Sequence, residues 1–231
     1  MEYKGSDILT LLQEKAKNYN KFLINIVAHT KCKRDIIVDF GSGIGFFARK
    51  ISQALASKIH CIEVSENLFS YYQNETNLIL HQSLNEFEDN SVDLIYSFNV
   101  LEHIENDTDY IRLFNQKLKE NGTLIIYVPA FMCLYSSMDK KVGHFRRYTK
   151  KDLIEKLEQH FKIEKCCYAD SAGFVTTLLY KIFGDKNGDI NPKALVIFDR
   201  FLFPLGRIFD ILTFGKLFGK NVLCIARKKT D

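Results

Sequence analysis

Ile36-Ile37-Val38-Asp39-Phe40-Gly41-Ser42-Gly43-Ile44-Gly45-Phe46-Phe47-Ala48 is the stretch from which the fold of this 231-residue chain is read. A β-branched apolar run ends in an acid, three glycines follow at alternate positions, and a helical pattern then begins. Such a run predicts a parallel strand buried on both faces. The glycines permit a turn whose backbone approaches a ligand closely, and the helix behind it offers its amino terminus. Strand, turn and helix together make a site for a nucleotide-type cofactor.

Outward from that stretch the pattern repeats. Lys58–Val64 reads as a second strand ending in Glu63 and Val64, a short helix spans Glu66–Gln73, and Asn77–His81 is a third strand. Val92–Ser97 is a fourth, and Thr123–Val128 a fifth, stopped by Pro129. Between these two, Leu101–Lys119 predicts one amphipathic helix with Leu101, Ile104, Ile111, Phe114 and Leu118 on a single face. Thr149 and Asp152 have capping-box spacing and open a helix running toward His160. Phe161–Ala169 and Asn221–Arg227 read as the last two strands, and Ser6–His29 as one helix ahead of the first. Strands alternating with helices in this way predict an α/β, doubly wound sheet of seven strands. Right-handed crossovers then gather the carboxyl ends of the strands, and the ligand, on one rim.

Composition narrows the function classes. With 46% hydrophobic and 26% charged residues, the chain can bury a substantial core and is not of disordered type. A net charge of +4 is too small to argue for nucleic acid, and no basic stripe or appended module points to an RNA acceptor. The six cysteines form no CxxC pair and sit mostly in apolar runs, as free thiols in a reducing compartment do. Met1-Glu2-Tyr3-Lys4-Gly5 has no apolar signal core, and no apolar run reaches the roughly 18 residues of a spanning helix. A cytoplasmic protein is expected, with peripheral contact to the inner face of a membrane left open.

The glycine pattern discriminates between ligands. A dinucleotide fingerprint needs a glycine at position 46, where Phe46 stands. Asp39, two residues before the first glycine, would repel a pyrophosphate and suits a ligand with an ammonium group and no phosphates. Glu63 is placed to accept both hydroxyls of a ribose.

Five segments carry a resemblance: Val38–Gly45, Ile62-Glu63-Val64-Ser65, Asn90–Ser97, Val100-Leu101-Glu102-His103-Ile104 and Lys119–Leu124. In that order they resemble the class I S-adenosylmethionine-dependent methyltransferases of the type 11 and type 12 groups, across about residues 30–130. The run Val128-Pro129-Ala130, with Leu134-Tyr135 and Gly143-His144-Phe145-Arg146-Arg147-Tyr148-Thr149, resembles a subgroup of them without naming its acceptor. The resemblance implies a Rossmann-like methyltransferase sheet and S-adenosyl-L-methionine as cofactor. It implies that Gly41, Ser42, Gly43 and Gly45 lie along the methionine moiety with Asp39 at its amino end. Glu63 and Val64 would meet the ribose, Ser83 and Leu84 would flank the adenine, and Ser97 and Phe98 its opposite side. Many relatives carry an aspartate where Ser83 stands, although a serine hydroxyl can still accept from the adenine amino group.

A sulfonium methyl is already activated, so alignment and exclusion of water are the protein's main tasks. If the acceptor must lose a proton, His103 after the fourth strand, or His144 or Tyr148 after the fifth, are the candidate bases. Glu102 alone is one carboxylate, and no metal site is expected from it. Arg146 and Arg147 have two readings, as donors to an anionic acceptor or as pins for the loop that carries them.

Four segments organise the chain: an N-terminal helix at 1–30, a cofactor-binding core at 31–170, an apolar and basic helical insertion at 171–220, and a last strand with its tail at 221–231. The insertion interrupts what would be the hairpin of the last two strands. It reads as a lid over the acceptor, as a dimer interface, or as a surface lying on anionic lipid. A small-molecule or lipid-like, hydrophobic acceptor follows from its composition. A protein that binds the cofactor without methyl transfer, and a nucleotide-dependent oxidoreductase, are the competing functional classes; Phe46 and Asp39 disfavour the second.

Overall fold

The computed structural model describes residues 6–183 and 191–230. The reading of the first five residues, and the part of the insertion at 184–190, lie outside the described residues. Seven strands form one sheet: β1 (Ile37–Phe40), β2 (Ile59–Ile62), β3 (Leu78–His81), β4 (Val92–Phe98), β5 (Leu118–Pro129), β6 (Phe161–Ala169) and β7 (Asn221–Lys228). Their order is β3-β2-β1-β4-β5-β7-β6. The pairs from β3 across to β5 are parallel, and β7 runs antiparallel to both of its neighbours. The doubly wound α/β sheet is therefore present, with a reversed strand inserted beside β5.

The helices are α1 (Ser6–Lys15), α2 (Lys17–His29), α3 (Phe46–Leu55), α4 (Asp107–Lys117), α5 (Ser137–Val142), α6 (Lys150–Leu157), α7 (Ser171–Phe183), α8 (Pro192–Ile197) and α9 (Phe203–Leu212). Side chains alternate across β1, so the sheet carries a core on each face. Val38 and Phe40 join Ile95, Phe114, Leu118, Leu153 and Leu157 on one side. Ile37 joins Leu94, Tyr96, Ile51, Leu23 and Val27 on the other.

Two predicted helices are broken. The N-terminal one divides at Ala16, whose ψ of 58° is outside the helical range. Leu101–Lys119 is not continuous either. A single 3₁₀ turn, Leu101–His103, ends with Ile104 extended, and α4 starts afresh at Asp107. The apolar face is shared by both pieces, so periodicity alone does not show the break. Further on, the loop at 131–148 contains α5 and returns to the sheet, where Ala130 and Tyr148 form a parallel bridge. The Thr149 capping box is present, with its hydroxyl accepting from the Asp152 amide at 3.2 Å.

The insertion sits on the rim where the parallel strands end. Asp210 accepts from the amides of Asp170 and Ser171 at 2.8 and 3.1 Å, which ties α9 to the start of α7. Asp199 accepts from the amides of Asn18 and Tyr19, both at 2.9 Å, and so caps the first turn of α2. Phe203 packs edge-on to Tyr19 at 5.6 Å, and Phe174 lies 5.6 Å from Phe131 and 5.0 Å from Phe218. The opposite face of the same helices is uncovered. Ile182, Ile197, Phe201, Leu205, Ile208 and Ile211 are exposed there. Leu212 and Phe214 keep 73% and 76% of their surface open. No helix among the described residues is long and apolar enough to cross a membrane.

Candidate active site

The turn after β1 takes the shape its glycines allow. Gly41, Gly43 and Gly45 have φ of 76°, 55° and 72°, a left-handed backbone that side chains disfavour. A Cβ on Gly41 would stand 2.4 Å from Val100 Cγ2, so the turn also depends on glycine for room. The amides of Gly41 and Ser42 both donate to the Ile62 carbonyl at 3.0 Å, which hangs the turn from the end of β2.

Glu63 completes the cradle. Its Oε2 accepts from the Gly43 amide at 2.8 Å and its Oε1 from the Ser65 amide at 2.7 Å. A carboxylate has about four acceptor positions, so two remain for a vicinal diol. Val64 beside it is 67% exposed, an apolar surface of the kind a planar base covers. Asp39 is buried, and burial followed by the nearby Glu63 pushes its carboxyl up to about 8, with Tyr96 acting in the opposite direction. Two acids thus lie close together beside the glycine turn, which favours a cationic ligand and opposes a phosphate.

The other cofactor candidates divide. Phe98 packs edge-on against Phe47 at 5.5 Å, and the buried Ser97 hydroxyl has no hydrogen-bond partner. Ser83 caps the turn Leu84–Glu86, accepting from the Asn85 amide at 3.1 Å, so one of its two acceptor positions is already used. Leu84 is buried beneath it. One participant was not visible in the sequence. The Tyr72 hydroxyl donates to the Gly43 carbonyl at 2.8 Å and exchanges a 2.7 Å hydrogen bond with Ser42 Oγ. Nothing in the spacing of the 3₁₀ segment Glu66–Tyr72 announces that its last side chain clamps the glycine turn.

The three candidate bases separate clearly. Tyr148 is removed from the set. It is buried, its hydroxyl donates to Asp107 Oδ2 at 2.8 Å and lies 3.1 Å from the Leu101 carbonyl, and burial with the adjacent Asp107 holds its pKa far above the usual range. Tyr148 fastens the loop. His103 and His144 instead come together, ring centroids 4.6 Å apart and edge-on, although 41 positions separate them in the chain. Burial, then the neighbouring His144, brings His103 down to about 4, so its ring is neutral at pH 7. The His144 Nδ1 pairs with Asp139 Oδ1 at 2.7 Å, and Arg147 binds the same carboxylate through Nε and Nη2 at 2.8 and 3.0 Å. Burial raises the Asp139 carboxyl, but these partners outweigh it and hold the group well below the usual carboxylate range. Arg147 is thereby a pin, and Arg146 likewise reaches the Glu105 carbonyl at 2.6 Å and Asp107 at 3.4 Å.

Residues 38–126 match a family profile described as a methyltransferase domain. Over that stretch the chain is similar to methyltransferase domains, in line with the resemblance its five sequence segments carry. The mitochondrial ubiquinone biosynthesis O-methyltransferase of Dictyostelium discoideum is 23% identical over 214 residues, which take in 79% of this chain and 65% of that relative. Among solved structures, an S-adenosylmethionine-dependent methyltransferase from Mesorhizobium loti has a TM-score of 0.58 at 16% identity, covering 90% of this chain and 98% of the other. The Haemonchus contortus phosphoethanolamine N-methyltransferase 2, solved with S-adenosyl-L-methionine, has a TM-score of 0.59 at 16% identity, over 93% and 53% of the two chains.

Both of these solved structures are named for S-adenosylmethionine. The residues present fit that cofactor: two neighbouring acids, an exposed valine, and a glycine turn drawn tight against β2.

Proposed function

We propose that this methyltransferase acts on a hydrophobic, small or lipid-borne acceptor that reaches the rim beneath the insertion. The cofactor supplies a methyl group on a sulfonium, activated toward displacement. Asp39 would hold its ammonium group and Glu63 its ribose hydroxyls, while the backbone of Gly41–Gly45 lies along the methionine chain. These contacts fix one end of an in-line arrangement, and alignment of that kind is worth several powers of ten in rate.

The observation that carries the acceptor class is the two-sided insertion. Its inner side, with Phe174, Phe203 and Phe218, roofs the strand ends with aromatic surface. Its outer side exposes Ile208, Ile211, Leu212, Phe214 and Leu217 with Arg200 and Lys216 beside them, whereas Asp199 and Asp210 are turned inward and buried. An exposed apolar face edged by cations suits an anionic membrane surface, from which a hydrophobic acceptor can be drawn. The likeness to a ubiquinone biosynthesis O-methyltransferase supports oxygen as the accepting atom and a quinone-type nucleus as one such acceptor. A hydroxyl acceptor loses its proton as the carbon–oxygen bond forms and the carbon–sulfur bond breaks. We place that event beside His103 and His144, on the segment that follows β4.

Incubation with radiolabelled cofactor and fractionated lysate tests this reading. The label is expected in the organic phase after extraction, and label confined to water-soluble products would overturn it.

A further inference from the structure

Glu102 presents a second problem of charge, away from the cofactor cradle. It is fully buried, and neither carboxylate oxygen has a hydrogen-bond partner. An unpaired carboxylate in such a place is costly unless something cationic joins it. His144 Nε2 stands 3.7 Å from Glu102 Oε1, and the donor atoms of Glu102, His103 and His144 all lie within 4.8 Å of one another.

We propose that Glu102, His103 and His144 form a binding site for a divalent transition-metal ion of the zinc type. Two imidazoles and one carboxylate are a donor set that holds such ions while leaving a coordination position open. The surroundings have the second layer that metal-binding histidines need. Asp139 takes the Nδ1 hydrogen of His144, which leaves Nε2 as the lone-pair nitrogen on the Glu102 side, and Arg147 locks Asp139 in turn. The backbone of Val142 and Gly143 hydrogen-bonds the His103 ring. Donors bound at about 2.0–2.2 Å from one ion lie closer together than these do, so the side chains draw inward on binding.

The site is close to the chemistry. Val100, two residues before Glu102, packs against Gly41 of the cofactor turn. An ion held here could ligate the acceptor's oxygen and lower its pKa, so that the hydroxyl proton passes to solvent before or during methyl transfer. That use rests on the methyl-transfer reading, whereas binding of the ion does not. The proposal replaces the expectation that Glu102 stands alone, since folding supplies the two further donors.

Titration of the chelator-treated protein with Co²⁺ tests it, read by visible ligand-field absorption and by calorimetry, with Zn²⁺ as competitor. One saturable equivalent is expected, displaced by Zn²⁺. Glu102→Gln and His144→Ala should each weaken it by at least tenfold, and Asp139→Asn by about 10–100-fold. His60→Ala, which disrupts the separate His60–His81 pair at 2.9 Å, should leave it unchanged. Because a variant at the buried Glu102 can fail to fold, His103→Ala serves as a second, less buried test, with melting curves on each protein. Absence of saturable Co²⁺ binding, or binding indifferent to Glu102, His103 and His144, would overturn the site. Calorimetry with S-adenosylmethionine on the same samples separates failure of this site from failure of the methyltransferase reading.

Discussion

Glu63 accepts a hydrogen bond from the amide of Gly43 at 2.8 Å, so the acid just after β2 shapes the turn after β1. Glu63→Ala removes a brace on the turn and, with it, the ribose contact proposed above. Hydrogen bonds to charged groups are worth about 1.5–3 kcal/mol each, so cofactor affinity should fall by at least tenfold. Calorimetry measures the affinity, and circular dichroism should show the fold retained. Wild-type affinity would remove Glu63 from the site.

Asp39 sets stability against binding. Its folded pKa, about 8, is above the unfolded value near 3.8. The stability linked to its protonation is fully present below pH 3.8 and is lost as pH rises through 8. Asp39→Asn should accordingly raise the melting temperature of the ligand-free protein at pH 8.5 much more than at pH 5. It should also weaken the cofactor. Equal melting shifts at both pH values would contradict the buried-acid assignment.

Gly41→Ala tests the turn itself. Its new Cβ would meet Val100 Cγ2 at 2.4 Å on a backbone of φ 76°. Overpacking of this kind costs about 1–3 kcal/mol, to which the left-handed backbone adds about 1–2 kcal/mol. Val100→Ala in the same chain should restore the packing part in urea titrations, while the backbone part persists.

Tyr148→Phe should behave as a structural change. The hydroxyl's bond to Asp107 is lost, but Lys156 still pairs with that carboxylate at 2.8 Å. A stability loss of about 1–3 kcal/mol is expected, with the pH dependence of methyl transfer unaltered. A displaced pH profile would return Tyr148 to the list of bases.

Leu212→Glu with Phe214→Glu addresses the uncovered face. Both side chains are almost entirely in solvent, so stability should change by less than about 0.5 kcal/mol. Flotation with anionic vesicles at low salt should fall from recovery of most of the protein to background. Undiminished flotation would assign membrane contact elsewhere.

The cofactor half was legible because its determinants are local. Val38 to Gly45 states strand, acid and turn within one short run, and Glu63 follows at the end of the next strand. The acceptor half was not legible for the opposite reason. His144 reaches Glu102 only because the loop at 131–148 doubles back to bridge Ala130 with Tyr148. Tyr148 looked reactive in a basic, aromatic run, yet burial turned it into a fastener. Burial likewise leaves the Glu102 carboxylate without a hydrogen-bond donor, and no periodic pattern marks a side chain by what it lacks.

Asp199 joins the amides of Asn18 and Tyr19 across 181 and 180 positions of chain. During synthesis the start of α2 must wait for that carboxylate until residue 199 has been made. The glycine turn and Glu63, by contrast, need contacts only about 20 positions long. Nascent chains should therefore acquire a ligand cradle well before they acquire a roof, and cofactor present in the cell can meet the cradle while it is still open above.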